Sequence, residues 1–413
     1  MPDTPKDIYD IAIIGGGIAG AGIARDASLR EIRTVLFEAH TFGSGTSSKS
    51  SKLIHGGIRY LELAWIAFCR GALEEAWKNF RFVFSSLREC RTLEAIAPDL
   101  VKPLELVIPI YHSDRRRPFM VFLGTLLYSA LAILSGRGKL PRIFWSKKSI
   151  LKKLPELNPE NLAGGVLIRD HVTDDLALVQ ATIAAARRKG AVCLEKTKVT
   201  GFKYDFDKNL YKIRTEHASS SQFFYSRKLL NASGPWVDKT RELLHDKEYN
   251  ENLIEPVAGS HITLKKFLPC SALLQAEDGR IFFVINREEE ARIGTTEWPC
   301  KDPDKVKPRE EDVEYLLQSL TKYFPAMKFS RKDILSSDAG VRPLAKPRKN
   351  QRSHEISREH EIHVDHSGVI HVLGVKLTDY RRAAEEIVDE LVPELRRVNP
   401  GIKSKTLTHR IKL

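Results

Sequence analysis

Ile8-Tyr9-Asp10-Ile11-Ala12-Ile13-Ile14 runs directly into Gly15-Gly16-Gly17-Ile18-Ala19-Gly20, and after a helical stretch the chain reaches Thr34-Val35-Leu36-Phe37-Glu38. Apolar strand, glycine turn, helix, and a second strand ending in an acid is the order that binds a dinucleotide. Gly15 allows the tight turn, Gly17 lets the backbone approach a pyrophosphate, and Gly20 lets the helix lie close to the sheet. The helix N-terminus then directs free N–H groups at the phosphate charge. Glu38, about 20 residues beyond the turn, is placed to accept hydrogen bonds from ribose hydroxyls. A lone G-x-G-x-x-G is weak evidence, but here both strands and the helix frame it. One residue sits awkwardly: Glu31 occupies the turn into the second strand, where glycine would be at ease.

Outward from that unit, 413 residues suffice for two domains or one large discontinuous one. With 29% charged and 42% hydrophobic residues, the composition is that of an ordinary folded protein. Cys69, Cys90, Cys193, Cys270 and Cys300 are scattered, odd in number and never paired as C-x-x-C. That argues for a reducing compartment and against a disulfide framework or a metal site. The first apolar run is the first strand of the nucleotide fold, so no signal peptide is expected. The net charge of +13 suits an anionic substrate or an anionic membrane surface, or is simply a solvated basic surface. Nucleic acid is disfavoured, because the basic clusters Arg115-Arg116-Arg117 and Arg342 to Arg358 lack interleaved stacking aromatics.

Residues 41–57 are small and polar, and they follow the acid-bearing strand, so they must pass the bound nucleotide. The pattern is helical from Leu63 to Leu93 and strand-like from Pro103 to Tyr111. Pro118 to Leu134 is uncharged and mostly apolar, flanked by Arg115-Arg116-Arg117 and by Arg137, Lys139 and Arg142. It is at the lower limit for crossing a bilayer and suits a buried helix or an interfacial one. Asp174 to Arg188 is an amphipathic helix, and strands follow at Val192–Glu195, Leu210–Thr215 and Gln222–Asn231. Ile262–Leu264, Arg280–Asn286 and Ala291–Thr296 make a second strand set, followed by a helix from Asp312 to Phe324. Val369–Leu373 is a strand, and the last helix runs from Thr378 to Leu391, stopped by Pro393. Nucleotide-fold elements at the start, middle and end predict interleaved domains.

Ser47-Ser48-Lys49-Ser50-Ser51-Lys52-Leu53-Ile54-His55-Gly56-Gly57-Ile58-Arg59-Tyr60-Leu61 and Asn231-Ala232-Ser233-Gly234-Pro235-Trp236-Val237 closely resemble the FAD-dependent glycerol-3-phosphate dehydrogenase family. So do Gly259-Ser260-His261, Gly294-Thr295-Thr296, Gly340-Val341-Arg342-Pro343-Leu344, and Lys376-Leu377-Thr378 followed by Tyr380-Arg381. The family lies in the D-amino-acid-oxidase-like flavoprotein superfamily. The resemblance implies an α/β chain: a Rossmann-like FAD-binding domain interleaved with an α+β substrate cap on a mixed or antiparallel sheet. Residues 1–80, 165–250 and 335–413 would form the first, and 81–164 and 251–334 the cap. It implies oxidation of sn-glycerol 3-phosphate to dihydroxyacetone phosphate by hydride transfer to flavin N5, with electrons passed to a quinone. It further implies a cytoplasmic enzyme, peripheral on the inner face of the cell membrane, with a homodimer allowed.

Carried over residue by residue, the resemblance assigns FAD to Gly15, Gly17, Gly20, Glu38, Thr46, Ser47, Ser51, Lys52, Leu53, His55, Gly57, Ser233, Gly234, Gly374, Lys376, Leu377 and Thr378. It assigns the substrate to Arg59, Tyr60, Arg342 and Arg358. Arginine is a planar, permanently charged donor that meets a phosphate with two bonds. His261 is the expected base, since a neutral imidazole suits a hydroxyl proton, with Arg342 and Lys376 completing the catalytic set. The turn at Gly374-Val375-Lys376 precedes a helix whose dipole could stabilise charge on the reduced flavin. Relatives usually carry glycine at Val375, arginine at Ala177 and aspartate at Glu297, and many have a helical C-terminal domain beyond the point where this chain stops. Two other readings stay open: a related FAD enzyme acting on another anionic 2-hydroxy or 2-amino compound, and a flavin-binding homologue with impaired turnover.

Overall fold

The opening run forms strand β1 (Ile8–Ile14), helix α1 (Ile18–Leu29) and strand β2 (Thr34–Phe37) in a computed structural model. The structure describes residues 7–114, 118–136, 138–218, 220–244, 251–346 and 360–413. β1 is apolar on both faces because it is covered on both: Ile11, Ala12 and Ile13 have no exposed surface. Glu31 does take a left-handed φ of 65° in the turn before β2.

The chain continues through β3 (Leu53–Ile54), α2 (Ile58–Cys69), α3 (Leu73–Ile96), β4 (Val101–Tyr111) and α4 (Pro118–Leu134). Then come β5 (Arg142–Phe144), α5 (Lys147–Leu151), β6 (Leu162–Thr173), α6 (Asp175–Arg188) and β7 (Val192–Leu194). β8 (Lys198–Asp205), β9 (Leu210–His217), β10 (Ser220–Asn231) and α7 (Val237–Arg241) lead to β11 (Ile254–Lys265). The remainder is β12 (Ser271–Gln275), β13 (Ile281–Arg287), β14 (Glu290–Gly294), β15 (Trp298–Pro299), α8 (Glu310–Tyr323), β16 (Ile334–Ala345), β17 (Glu361–Val364), β18 (Ile370–Leu373) and α9 (Tyr380–Val398).

Among the described residues these strands make two sheets. The first has the order β17-β18-β10-β1-β2-β7, with β9 and β8 continuing from β10; its centre, β18-β10-β1-β2-β7, is parallel. Helices α1, α6 and α9 cover one face, where Ile23, Val179, Ile183, Ile387 and Leu391 share a core. The second sheet runs β15-β11-β14-β13-β12-β4-β6-β3, with β16 on β11 and β5 on β6, and it is antiparallel except between β12 and β4. Helix α8 packs on one side of it, and α2, α3 and α4 pack on the other.

Several local expectations change. β3, β6 and β16 pair within the second sheet although they fall largely inside 1–80, 165–250 and 335–413. The helical stretch from Leu63 to Leu93 is two helices broken at Gly71, whose φ of 76° ends the first. β8 had no sequence expectation, since its lone Gly201 and polar residues hide the alternation. Pro393 does not stop the last helix, which continues to Val398. Losing one helical N–H and accommodating the ring costs about 3 kcal/mol. Burying Leu395, 2% exposed, returns roughly 1.5–3 kcal/mol, and Arg396 and Arg397 complement the helix end.

Candidate functional site

Between the two sheets lies a continuous cavity of about 1260 Å³, larger than the roughly 300–1,000 Å³ of ordinary small-molecule sites. At one end it is walled by Gly15, Gly17 and Glu38 from the first βαβ unit and by Ser233 and Gly234 after β10. Gly15 has a φ of 106°, and a Cβ there would stand 2.6 Å from the Ala232 carbonyl oxygen, so only glycine fits. A Cβ on Gly20 would overlap the Gly15 carbonyl, which is why that glycine serves the helix–turn contact and does not line the cavity. Glu38 accepts the Gly16 N–H at 2.8 Å and the His40 N–H at 2.8 Å, fixing its carboxylate at the cavity edge. Ser47 Oγ accepts the Ile18 N–H at 3.0 Å, and Thr46 Oγ1 donates to the Val341 carbonyl at 2.6 Å. A backbone stripped of side chains, a helix N-terminus and a fixed carboxylate fit the adenosine diphosphate half of FAD.

Towards the second sheet the lining becomes cationic and aromatic. Gly57, at φ 75°, caps α2, whose first residues Ile58, Arg59 and Tyr60 enter the cavity wall. Lys376 Nζ donates to Tyr60 Oη at 3.0 Å and lies 4.0 Å from the centroid of Phe82. Arg342, on β16, donates from Nη1 to Glu297 Oε1 at 2.5 Å, while its Nη2 is buried with no partner among the described residues. Arg59, Arg342, Lys376 and Gly15 therefore line one cavity. Thr46, Ser47, Ser51, Leu53, His55, Gly374, Leu377 and Thr378 line it too. Arg358 lies outside the described residues.

Besides Gly20, two expected site residues lie off the cavity wall. Lys52, at φ 58°, turns its ammonium onto the fully buried Asp175 at 2.5 Å and is not part of the cavity wall. His261 sits on β11 behind the wall, 4% exposed, with Nε2 2.9 Å from Ser51 Oγ. Burial first, then the charges of Arg292, Arg342 and Lys52, push its pKa well below the usual histidine range. Val375 does not take a left-handed φ: Gly374 takes the positive φ, 67°, and Val375 packs against the nucleotide-domain core while still lining the cavity. At Ala177, in the first turn of α6, no arginine is present, and the guanidinium at that helix end comes from Arg287, 2.9 Å from Asp174.

His55 does face the cavity. Its Nδ1 accepts the Gly57 N–H at 3.0 Å, and burial, then Lys376, pushes its pKa down to about 4. A neutral ring that accepts at Nδ1 carries its hydrogen on Nε2, so His55 is a hydrogen-bond donor to whatever lies beside it. Asp170, another lining residue, receives the Tyr128 hydroxyl at 2.6 Å, and burial raises its pKa to about 7. Sequence reasoning had no signal for it, because a single Asp in the β6 string looks like any strand acid. The same holds for Arg292, which clamps Asp338 with bonds of 2.6 and 2.7 Å and reaches the Ser50 carbonyl at 2.9 Å.

The pattern of the FAD dependent oxidoreductase family matches residues 10–397. The aerobic glycerol-3-phosphate dehydrogenase of Staphylococcus haemolyticus is 35% identical over 396 residues, covering 94% of this chain and 68% of that protein. The glycerol-3-phosphate dehydrogenase of Bacillus halodurans, solved with FAD, superposes with a TM-score of 0.76 at 29% identity, over 99% of this chain and 68% of the other. The L-alpha-glycerophosphate oxidase of Mycoplasma pneumoniae, at 18% identity and a TM-score of 0.69, shares the fold over 98% of this chain and 99% of its own.

Proposed function

The chain belongs to the FAD-dependent glycerol-3-phosphate dehydrogenase family, with FAD as its cofactor, and from that premise we propose that it oxidises sn-glycerol 3-phosphate to dihydroxyacetone phosphate and passes the electrons to a quinone. The observation that carries the substrate is the opening of Arg59 and Arg342 into the same cavity as the Gly15 turn. Gly15, Gly17, Glu38, Thr46, Ser47, Ser233 and Gly234 would hold the nucleotide half, and Ser51, His55, Gly374, Lys376, Leu377 and Thr378 the ring half. When bound, FAD supplies the two-electron acceptor for a hydride.

The protein's own groups do the rest. Arg59 and Arg342 neutralise the phosphate, and the Arg342 guanidinium, with one Nη unpartnered among the described residues, is ready to donate to it. Lys376, held between Tyr60 and Phe82, adds a fixed positive charge where negative charge develops. His55 donates from Nε2 in the same region, and neutral His261, behind the wall, is where the proton charge released by the hydroxyl comes to rest.

The acceptor side is read from the outer helices. Trp65, Phe68 (56%), Trp77 (60%), Phe119 (71%), Leu123 and Leu127 are exposed on α2, α3 and α4. Arg70, Lys78, Arg81, Lys139, Arg142, Lys147 and Lys148 are exposed on those helices and the segment after them. Among the described residues no helix is long and apolar enough to cross a membrane. An apolar face with a basic rim suits shallow insertion into an anionic leaflet, where a quinone is at hand.

Anaerobic addition of glycerol 3-phosphate to the purified yellow protein should bleach the flavin within seconds. Bleaching only by a hydroxy or amino acid, or by neither, would overturn this reading.

A further inference from the structure

The hydroxyl of Ser51 stands between the cavity and the histidine expected to be its base. Ser51 lines the cavity, whereas His261 does not. The link between them is the 2.9 Å contact from Ser51 Oγ to His261 Nε2. His261 cannot easily swing outward. Gly294 lies so close beneath the ring that a Cβ there would stand 2.5 Å from Cδ2, and β11 is held on both sides by β14 and β16. Its other nitrogen, Nδ1, is buried with no hydrogen-bond partner among the described residues, so it offers no second route. His55 is no substitute, because its Nδ1 lone pair already receives the Gly57 N–H.

We infer that Ser51 is a catalytic residue of this site: its hydroxyl takes the proton from the substrate's C2 hydroxyl while passing its own proton to His261 Nε2. This deepens the glycerol 3-phosphate reading and rests on it. In the step, the substrate O–H bond breaks and a C=O bond forms. The C2 hydrogen leaves with its electron pair to the two-electron acceptor FAD, one O–H bond is exchanged at Ser51, and one N–H bond forms on His261. The scaffold around the pair is rigid. Ser50, next to Ser51, is tied to Asp175 through its backbone N–H at 3.1 Å and its hydroxyl at 2.7 Å, and its carbonyl accepts from Arg292. Arg342 links the two halves of the site. It depresses the basicity of His261, and a phosphate dianion bound to it would cancel part of that charge, so the imidazole becomes a better proton acceptor once substrate is seated.

The test compares wild-type, Ser51→Ala, Ser51→Thr, His261→Asn and the Ser51→Ala/His261→Asn double variant as holoenzymes. Flavin absorbance gives FAD content, and anaerobic stopped-flow bleaching by glycerol 3-phosphate gives the rate and apparent substrate affinity. With rates taken per bound flavin, Ser51→Ala should keep its substrate affinity within about twofold and should slow bleaching about 10²-fold or more, the size of a lost proton-transfer partner. Ser51→Thr should recover most of the rate. The double variant should be no slower than the slower single, because two residues acting as one unit are not additive. In 15N-histidine spectra of the substrate-free protein, Ser51→Ala should shift the His261 Nε2 resonance. A wild-type rate per bound flavin in Ser51→Ala, or an unmoved resonance, overturns the relay. A wild-type protein that glycerol 3-phosphate does not bleach overturns the substrate reading instead.

Discussion

Replacing Arg342 with alanine tests the phosphate site most directly. One amino group of Arg342 is taken up by Glu297 at 2.5 Å, and the other is buried without a partner among the described residues. A hydrogen bond to a charged group contributes about 1.5–3 kcal/mol, and each 1.4 kcal/mol is tenfold in affinity, so losing one phosphate contact raises KM about 10- to 150-fold. Glu297 pushes the effect towards the upper figure, because truncation takes away its Arg342 partner and leaves its carboxylate facing the incoming dianion. Arg342→Lys keeps the charge but not the planar fork, and should fall between, at about tenfold. Adding Glu297→Gln to Arg342→Ala should recover part of the loss. FAD content should not change, since Arg342 sits on β16 and the nucleotide end is built by β1, β2 and the turn after β10. Steady-state kinetics with a dye acceptor, alongside the flavin spectrum, decides it. A KM within twofold of wild type at full flavin content would remove Arg342 from the phosphate site.

Asp170 has a folded pKa raised by burial from 3.8 to about 7, so the folded state holds a proton that the unfolded chain releases as pH rises between those values. Stability from this group is therefore complete below about pH 4 and falls by roughly 4 kcal/mol by pH 8; Asp170→Asn should abolish that slope in denaturant titrations, and equal pH dependence in both proteins would refute it. Binding to liposomes containing anionic lipid should be strong at low salt and weaken as salt screens the basic rim, and protein that stays in the supernatant at low salt counts against the membrane face.

Much of the fold could be read because its signals are local. Strand β1, the glycine turn, α1 and Glu38 are contiguous, and each residue's task follows from backbone conformation or helix geometry. The amphipathic helices α6 and α8 were legible for the same reason, as periodicity needs only the segment itself. Pro393 misled because a local rule lost to tertiary packing, with Leu395 and its neighbours holding the last turn in place.

What the sequence alone determined was the set of groups in the cavity wall that sit beside their own turns: Gly15, Ser47, Arg59, Ser233, Lys376. Which face of a strand points inwards was decided only in three dimensions. His261 lies opposite Gly294 on β14 and Asp338 on β16, partners 33 and 77 residues away, and that register aims its ring behind the wall. A one-residue slip would turn it to the other face, and nothing local specifies the pairing. Lys52 is similar, its direction set by Asp175 on a distant helix, because a buried carboxylate draws in the nearest cation.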